Sequence, residues 1–411
     1  MKHCGLLGRK LGHSYSPAIH AFLGDYSYQL FEIEPDELDD FLHNGGFDAI
    51  NVTIPYKKDV IPYLDELSPV AEKLGAVNTI VRRPDGKLTG HNTDYYGFRS
   101  MLEKSGLDCE NKKVLVLGSG GASVTVCAVL EEIGANVVVI SRTGENNYTN
   151  LHLHQDAAIL VNTTPVGMYP HVGQSPVDLE SFPRLEGVLD IIYNPARTKL
   201  LLDAEEKGLV TMNGLWMLVA QAKEASEWFT GSKLDDGLIG TIYASLRRRM
   251  ENYILIGMPG CGKTTIATHL SRLTQREYKV VDADAEIERK AGKTIPEIFA
   301  QDGEDVFRKL ETQVLAELGK QSGLIIATGG GCVTRQENYP LLHQNGILIW
   351  IQRNTALLPT EGRPLSQQQR LEDMYRLRKP LYEAFADCTV QNDRTPEETT
   401  HEIIKALEGL L

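Results

Sequence analysis

Gly257-Met258-Pro259-Gly260-Cys261-Gly262-Lys263-Thr264 satisfies the phosphate-cradling pattern G-x-x-x-x-G-K-[ST] at every fixed position. The apolar run 253–256 before it reads as a buried strand, and 265–273 after it as an amphipathic helix. Glycines let backbone N–H groups wrap a polyphosphate, and the helix presents its positive end to that anion. Lys263 would reach the β/γ-phosphates and Thr264 would hold Mg²⁺, with Gly257, Gly260, Cys261, Gly262 and Thr265 completing the cradle. The chain is therefore expected to hydrolyse or transfer a nucleoside triphosphate phosphoryl group, or to descend from a protein that did.

Around this motif the chain is ordinary α/β protein. Its 411 residues suit two or three domains, and its hydrophobic share of 42% leaves ample core. A net charge of −13 argues against a nucleic-acid partner, and the one basic run, Arg247-Arg248-Arg249, reads as a solvated helix end. Six scattered cysteines with no C-x-x-C suit reduced thiols in the cytoplasm and argue against zinc. No apolar run reaches membrane-spanning length, and the N-terminus enters a strand at 4–7 with no room for a signal segment. Oligomeric state leaves no trace in the sequence.

Short apolar runs alternate with helical segments throughout, as in parallel-sheet proteins. Strands are predicted at 48–52, 113–117, 136–140, 157–161 and 188–191, then at 279–281, 324–327 and 347–351; helices 215–229 and 237–249 close the first half. No linker separates the halves near residue 251, which predicts a fixed orientation.

A second nucleotide signal follows the strand at 113–117. Gly118-Ser119-Gly120-Gly121-Ala122-Ser123 resembles a dinucleotide-binding turn. The next strand ends in Ser141-Arg142-Thr143, where an NAD-selective fold places an acid for the ribose; a cation there suits the 2′-phosphate of NADP. NADP(H) is therefore the expected cofactor of the first half.

Further motifs carry a family resemblance. Ser14-Tyr15-Ser16, Asn51-Val52-Thr53-Ile54-Pro55-Tyr56-Lys57, Ala76-Val77-Asn78-Thr79 and Gly90-His91-Asn92-Thr93-Asp94 occur in order. Asn162-Thr163-Thr164-Pro165-Val166-Gly167-Met168, Asp190-Ile191-Ile192-Tyr193-Asn194-Pro195 and Asn213-Gly214 with Gln221 follow. Residues 1–250 thereby resemble shikimate dehydrogenase. The resemblance implies that Ser14 and Ser16 bind the substrate carboxylate and that Thr53, Asn78, Asp94 and Gln221 bind ring hydroxyls. Lys57 would protonate and stabilise the developing alkoxide, with Asp94 as its partner. Thr163, Met168, Tyr193 and Gly214 would join Gly118, Gly120, Gly121, Ala122, Arg142 and Thr143 around NADP.

One departure stands out. The family usually reads N-R-T-x-x-[RK], and here Ser141 replaces the Asn and Asn146 the last basic residue. The stretch from Ser141 to Asn162 is too short for a crossover helix plus a strand. One helix and the outer strand are expected to be missing or vestigial, leaving a weakened grip on NADP.

The second half resembles shikimate kinase. Asp282-Ala283-Asp284, the run Gly303-Glu304-Asp305-Val306-Phe307-Arg308-Lys309-Leu310-Glu311, Gly329-Gly330-Gly331, Gly362-Arg363-Pro364-Leu365 and Arg378-Lys379-Pro380-Leu381-Tyr382 match its motifs in order. The resemblance implies Mg²⁺ on Thr264 and Asp282, Asp284 as general base, and Arg308 and Arg378 on the shikimate carboxylate beside Gly329, Gly330 and Gly331. Lys263 and Arg363 would balance charge on the transferring phosphate, Arg363 from a lid. Residues 355–361 lack the extra arginine the family often carries there.

The expected fold is thus an α/β substrate domain (1–102, completed by helices 215–249), a shortened Rossmann-like NADP domain (103–214) and a P-loop kinase domain with a parallel sheet (251–411). The expected function is NADPH-dependent reduction of 3-dehydroshikimate followed by ATP-dependent phosphorylation of shikimate. The alternative is a live kinase carrying a dehydrogenase-like module that binds substrate with weak or no hydride transfer. Kinase action on another small acid and a nucleotide-sensing role without catalysis are further rivals.

Overall fold

The computed structural model describes residues 1–12, 14–274, 278–358 and 371–410. Its contacts divide the chain into two units, one of 1–166, 175–193 and 203–244, the other of 167–174, 194–202 and everything from 245 onward.

The first unit holds two sheets. Strands β1 (Lys2–Gly8), β2 (Tyr26–Glu32), β3 (Ala49–Val52), β4 (Glu66–Leu67), β5 (Thr79–Arg82) and β6 (Leu88–His91) form a mixed sheet in the order β2-β1-β3-β5-β6-β4. The pairs β1–β2 and β1–β3 run parallel, and β5 is antiparallel to β3 and β6. Leu7, Phe47, Ile50, Val52, Tyr56 and Ile80 fill the core on this sheet. The second sheet comprises β7 (Lys113–Leu117), β8 (Asn136–Ile140), β9 (Ile159–Asn162), β10 (Gly187–Asp190) and β11 (Val210–Asn213), all parallel, in the order β11-β10-β9-β7-β8. The run Val114-Leu115-Val116-Leu117 is fully buried, as a parallel strand covered on both faces requires.

A doubly wound dinucleotide sheet has the strand order 3-2-1-4-5-6. Here β7, β8, β9, β10 and β11 occupy positions 1, 2, 4, 5 and 6, and β8 is the edge. Between Ile140 and Ile159 the chain makes only an isolated bridge, Ser141 to Asn147, and the 3₁₀ turn Leu151–His154. The crossover helix and outer strand are absent from this connection, every residue of which is described.

The second unit is built on β12 (Asn252–Ile256), β13 (Lys279–Asp282), β14 (Leu324–Ala327), β15 (Gly346–Gln352) and β16 (Cys388–Gln391), all parallel, in the order β13-β14-β12-β15-β16. Ile254, Leu255, Ile325, Leu348 and Ile349 are fully buried in its core; truncating one to alanine would cost about 2–5 kcal/mol. The P-loop follows the central strand, so the carboxyl ends of β12, β13, β14 and β15 converge on one crevice, where open α/β sheets bind ligands. Among the described residues no helix is long and apolar enough to cross a membrane, and all six cysteines are free thiols.

Candidate active sites

The first cleft, about 460 Å³, lies in the first unit and is lined by Ser14, Ser16, Thr53, Lys57, Asn78, Asp94 and Gln221. These residues come from five separate stretches of chain. Lys57 stands on the turn after β3, held where Val77 N donates to Lys57 O. Asp94 opens the helix Asp94–Ser105, and Gln221 sits on the helix Leu215–Thr230 packed against it. The Lys57 ammonium donates to Asp94 Oδ2 at 2.6 Å. Ser16 N donates to Ser14 Oγ at 3.2 Å, and both residues line the cleft.

Beneath these groups runs a buried network that the sequence reading did not identify. Asn78 Oδ1 accepts from Thr93 N at 2.7 Å and from the hydroxyls of Thr79 and Thr93. The backbone N–H is an unambiguous donor, so the Asn78 amide orientation is fixed and its NH₂ is left for a ligand. Asn51 donates to Thr79 Oγ1 and accepts from Tyr28 Oη, and Thr93 Oγ1 reaches Gln221 Oε1 at 3.4 Å. Thr79 and Thr93 stood inside recognised motifs, next to residues given ligand roles; that adjacency was the available signal.

Ala122, Tyr193 and Gly214 line the same cleft. Gly118, Gly120, Arg142 and Thr163 line a second cavity of about 690 Å³ in the same unit. Gly120 and Gly121 face open space, so the turn at the start of the helix Gly121–Glu132 leaves room for a phosphate against its backbone. This donor set, with Arg142 lining the same cavity, fits a dinucleotide carrying a 2′-phosphate. Gly121 and Thr143 border neither cavity, and Met168 is exposed and borders neither.

The cleft of the second unit measures about 560 Å³ and is lined by Gly260, Gly262, Lys263, Thr264, Thr265, Asp282, Asp284, Arg308, Gly329, Gly330, Gly331 and Arg378. Gly257 and Cys261 support the loop from behind; a side chain at Gly257 would meet Ile351 O at 2.4 Å, and Cys261 is fully buried. The Lys263 ammonium folds back to donate to Gly257 O at 2.8 Å and Met258 O at 3.0 Å. Thr264 Oγ1 donates to Asp282 Oδ2 at 2.8 Å, while Asp282 Oδ1 caps the helix Ala283–Ala291. A hydroxyl and a carboxylate side by side at a phosphate cradle fit Mg²⁺, which keeps waters and takes few protein oxygens.

Arg308 is buried and donates to Glu311 Oε2 at 2.7 Å and to Glu304 Oε1. Arg378 donates to Gly330 O at 3.2 Å. Asp284 Oδ1 and Glu311 Oε1 are buried without a hydrogen-bond partner among the described residues. Both converge on Gly329: a methyl group there would lie 2.7 Å from Asp284 Oδ1 and 2.8 Å from Glu311 Oε1. Burial raises the pKa of Asp284, against the pull of Lys263. An orphaned carboxylate oxygen of raised basicity, beside two guanidinium groups, is suited to accept a proton from a bound hydroxyl.

The sequence reading also missed Arg353. It lies just past β15, lines this cleft, and its Nε is buried without a hydrogen-bond partner among the described residues. Its Nη1 is 4.0 Å from where a side chain on Gly262 would begin. The usable signal was its place at the carboxyl end of a strand in a nucleotide-type sheet. Arg363 lies outside the described residues.

Comparison with known proteins gives two family matches. Residues 6–80 match the shikimate dehydrogenase substrate binding domain and residues 259–408 match shikimate kinase. A shikimate dehydrogenase (NADP(+)) of Clostridium perfringens is 40% identical over 272 residues, spanning 61% of this chain and 100% of that protein. Among solved structures, shikimate dehydrogenase 1 of Peptoclostridium difficile superposes with a TM-score of 0.56 at 36% identity, covering 60% of this chain and 98% of that one. The enzyme of Thermus thermophilus, solved with NADP(H) and shikimate, gives 0.55 at 33%, covering 60% and 99%.

Proposed function

Because the chain belongs to the shikimate dehydrogenase family over its N-terminal part and carries a shikimate kinase domain behind it, we propose that it catalyses two consecutive reactions of the shikimate pathway. The first unit reduces 3-dehydroshikimate to shikimate, and the second phosphorylates shikimate at its 3-hydroxyl. The observation that carries this reading is that two clefts, one in each unit, each gather polar side chains around one titratable group placed to exchange a proton with a bound ring acid: Lys57 beside Ser14, Ser16 and Asp94 in the first, Asp284 beside Arg308 and Arg378 in the second.

In the first cleft the Ser14 and Ser16 hydroxyls hold the ring carboxylate, and Thr53, Asn78 and Gln221 hold the hydroxyls. Gly118, Gly120, Arg142 and Thr163 would hold NADPH, with Ala122, Tyr193 and Gly214 bordering the substrate cleft, and the bound cofactor would supply the hydride. Lys57, oriented by Asp94, gives a proton to the ketone oxygen as that oxygen gains charge.

In the second cleft Arg308 and Arg378 grip the shikimate carboxylate. Glu311 fixes the Arg308 fork, which suits planar bidentate recognition. Bound ATP, with Mg²⁺ near Thr264 and Asp282, supplies the phosphoryl group. Asp284 takes the hydroxyl proton, and Lys263, released from its carbonyl contacts, offsets phosphate charge. The free thiols and shared metabolite suit a cytoplasmic enzyme.

Two assays on the purified chain test the proposal: loss of NADPH absorbance with 3-dehydroshikimate, and shikimate-dependent ADP release from ATP and Mg²⁺. Activity in both is expected. ADP release without NADPH oxidation would restore the alternative in which the first unit only binds its ligand.

A further inference from the structure

Ser141, Arg142 and Tyr148, which line the second cavity of the first unit, all come from the short connection that stands where a crossover helix and strand would be. Between β8 and the 3₁₀ turn, short side chains tie the backbone locally. Ser141 Oγ accepts from Gly144 N at 2.8 Å, and Asn150 Oδ1 accepts from Asn147 N at 2.8 Å. Asn150 Nδ2 donates to Glu145 O at 2.9 Å, and Asn147 Oδ1 accepts from Thr149 N at 2.9 Å. Such Asn and Ser turns hold a chain in shape without a helix or a ladder. They bracket one aromatic residue, Tyr148.

Tyr148 lines the cavity with Gly118, Gly120, Arg142 and Thr163. It is half-buried and shares the cavity wall with Arg142; burial raises its hydroxyl pKa and the Arg142 charge opposes that rise. Neither has a hydrogen-bond or ion-pair partner among the described residues. A half-buried aromatic ring and an unpaired guanidinium, facing a phosphate-binding turn, match a ligand that is a flat heterocycle at one point and an anion at another.

We propose that Tyr148 is the adenosine wall of the dinucleotide site: its ring packs on the adenine while Arg142 takes the 2′-phosphate, standing in for the missing helix and strand. The inference rests on the dehydrogenase reading above and deepens it. It also revises the expectation of a weak cofactor grip, since the shortened connection supplies its own recognition surface.

Calorimetric titration of the full chain with NADP⁺, and with adenosine 2′,5′-bisphosphate, which carries only the adenosine half, tests this. Tyr148→Ala should weaken both about tenfold, the scale of a base–aromatic stack. Tyr148→Phe should bind close to the unaltered chain, and neither should change shikimate binding. Equal NADP⁺ affinity in Tyr148→Ala overturns the inference and leaves the dehydrogenase reading intact. Parallel loss of NADP⁺ and shikimate affinity with a lowered melting temperature also overturns it, making Tyr148 a fold support. Failure of the unaltered chain to bind NADP⁺ overturns the dehydrogenase reading itself.

Discussion

The Lys57 ammonium lies 2.6 Å from Asp94 Oδ2, across 37 residues of sequence. One comes from a turn after β3 and the other from the first position of a helix, so only the assembled unit brings them together. Both side chains keep partial access to the cleft, 28% and 17% exposed, which a proton-transfer pair needs. Lys57→Ala should lower the rate of NADPH-dependent reduction about 10²–10⁴-fold, the usual worth of a positioned general acid. Phosphorylation by the same preparation should be unchanged. Loss of both activities in a folded variant would falsify the two-cleft reading.

Asp284 makes the converse case. Its Oδ1 is buried without a hydrogen-bond partner among the described residues, and the proposed role is to accept the shikimate hydroxyl proton. Asp284→Asn keeps the shape and removes the base, so ADP release should fall by roughly 10²-fold or more while shikimate still binds. Calorimetry with shikimate separates the two effects. Lost affinity with an unchanged maximal rate would make Asp284 a binding group only.

Arg353 should show opposite effects on stability and binding. A buried donor without a partner costs the free fold about 1–3 kcal/mol. Arg353→Met fills similar space without that donor. It should therefore raise the melting temperature of the second unit while weakening ADP binding roughly tenfold, about the loss of one charged hydrogen bond. Shikimate affinity should hold. An ADP affinity equal to the unaltered chain's would remove Arg353 from the nucleotide site.

Local pattern and long-range assembly divide what could be read from the chain. Strands β7 and β8 coincide with their predicted runs because each is a continuous apolar segment bounded by polar residues, buried in β7 and half-buried in the edge strand β8. The predicted strand at 157–161 is displaced, β9 spanning Ile159–Asn162, since the buried Ala157-Ala158 lead-in looks the same in sequence. The shortened connection after Ile140 was legible from length alone, because a crossover needs a minimum of chain. What fills it was not: the place of Tyr148 depends on turns made by Asn147 and Asn150, which no periodicity reveals. Arg353 was hidden for a similar reason. Its nearness to Gly262 follows from β15 pairing with β12, a contact set by sheet order. Lys263, assigned to the phosphates, donates to the Gly257 and Met258 carbonyls, contacts that depend on the loop's backbone path and not on any sequence pattern.

Two buried imidazoles predict how the first unit responds to acid. His20 stacks on Tyr28 at 3.9 Å between ring centres, and His91 on Trp228 at 3.7 Å. Burial lowers His20 from 6.5 to about 3 and His91 from 6.5 to about 4. Unfolded, both rings take up protons as the pH drops below about 6.5; folded, they resist until about 4 and about 3. The unfolded chain thus binds more protons in this window, so stability rises with pH there. The contribution is present in full above about 6.5 and is lost on acidification toward those folded values. Scanning calorimetry across the window should show the first unit's transition falling with pH. His91→Phe keeps a ring against Trp228 and removes one titrating group, so its transition should fall less steeply. An unchanged slope in that variant would mean that His91 is protonated as readily in the folded unit as in the unfolded chain, contrary to its burial.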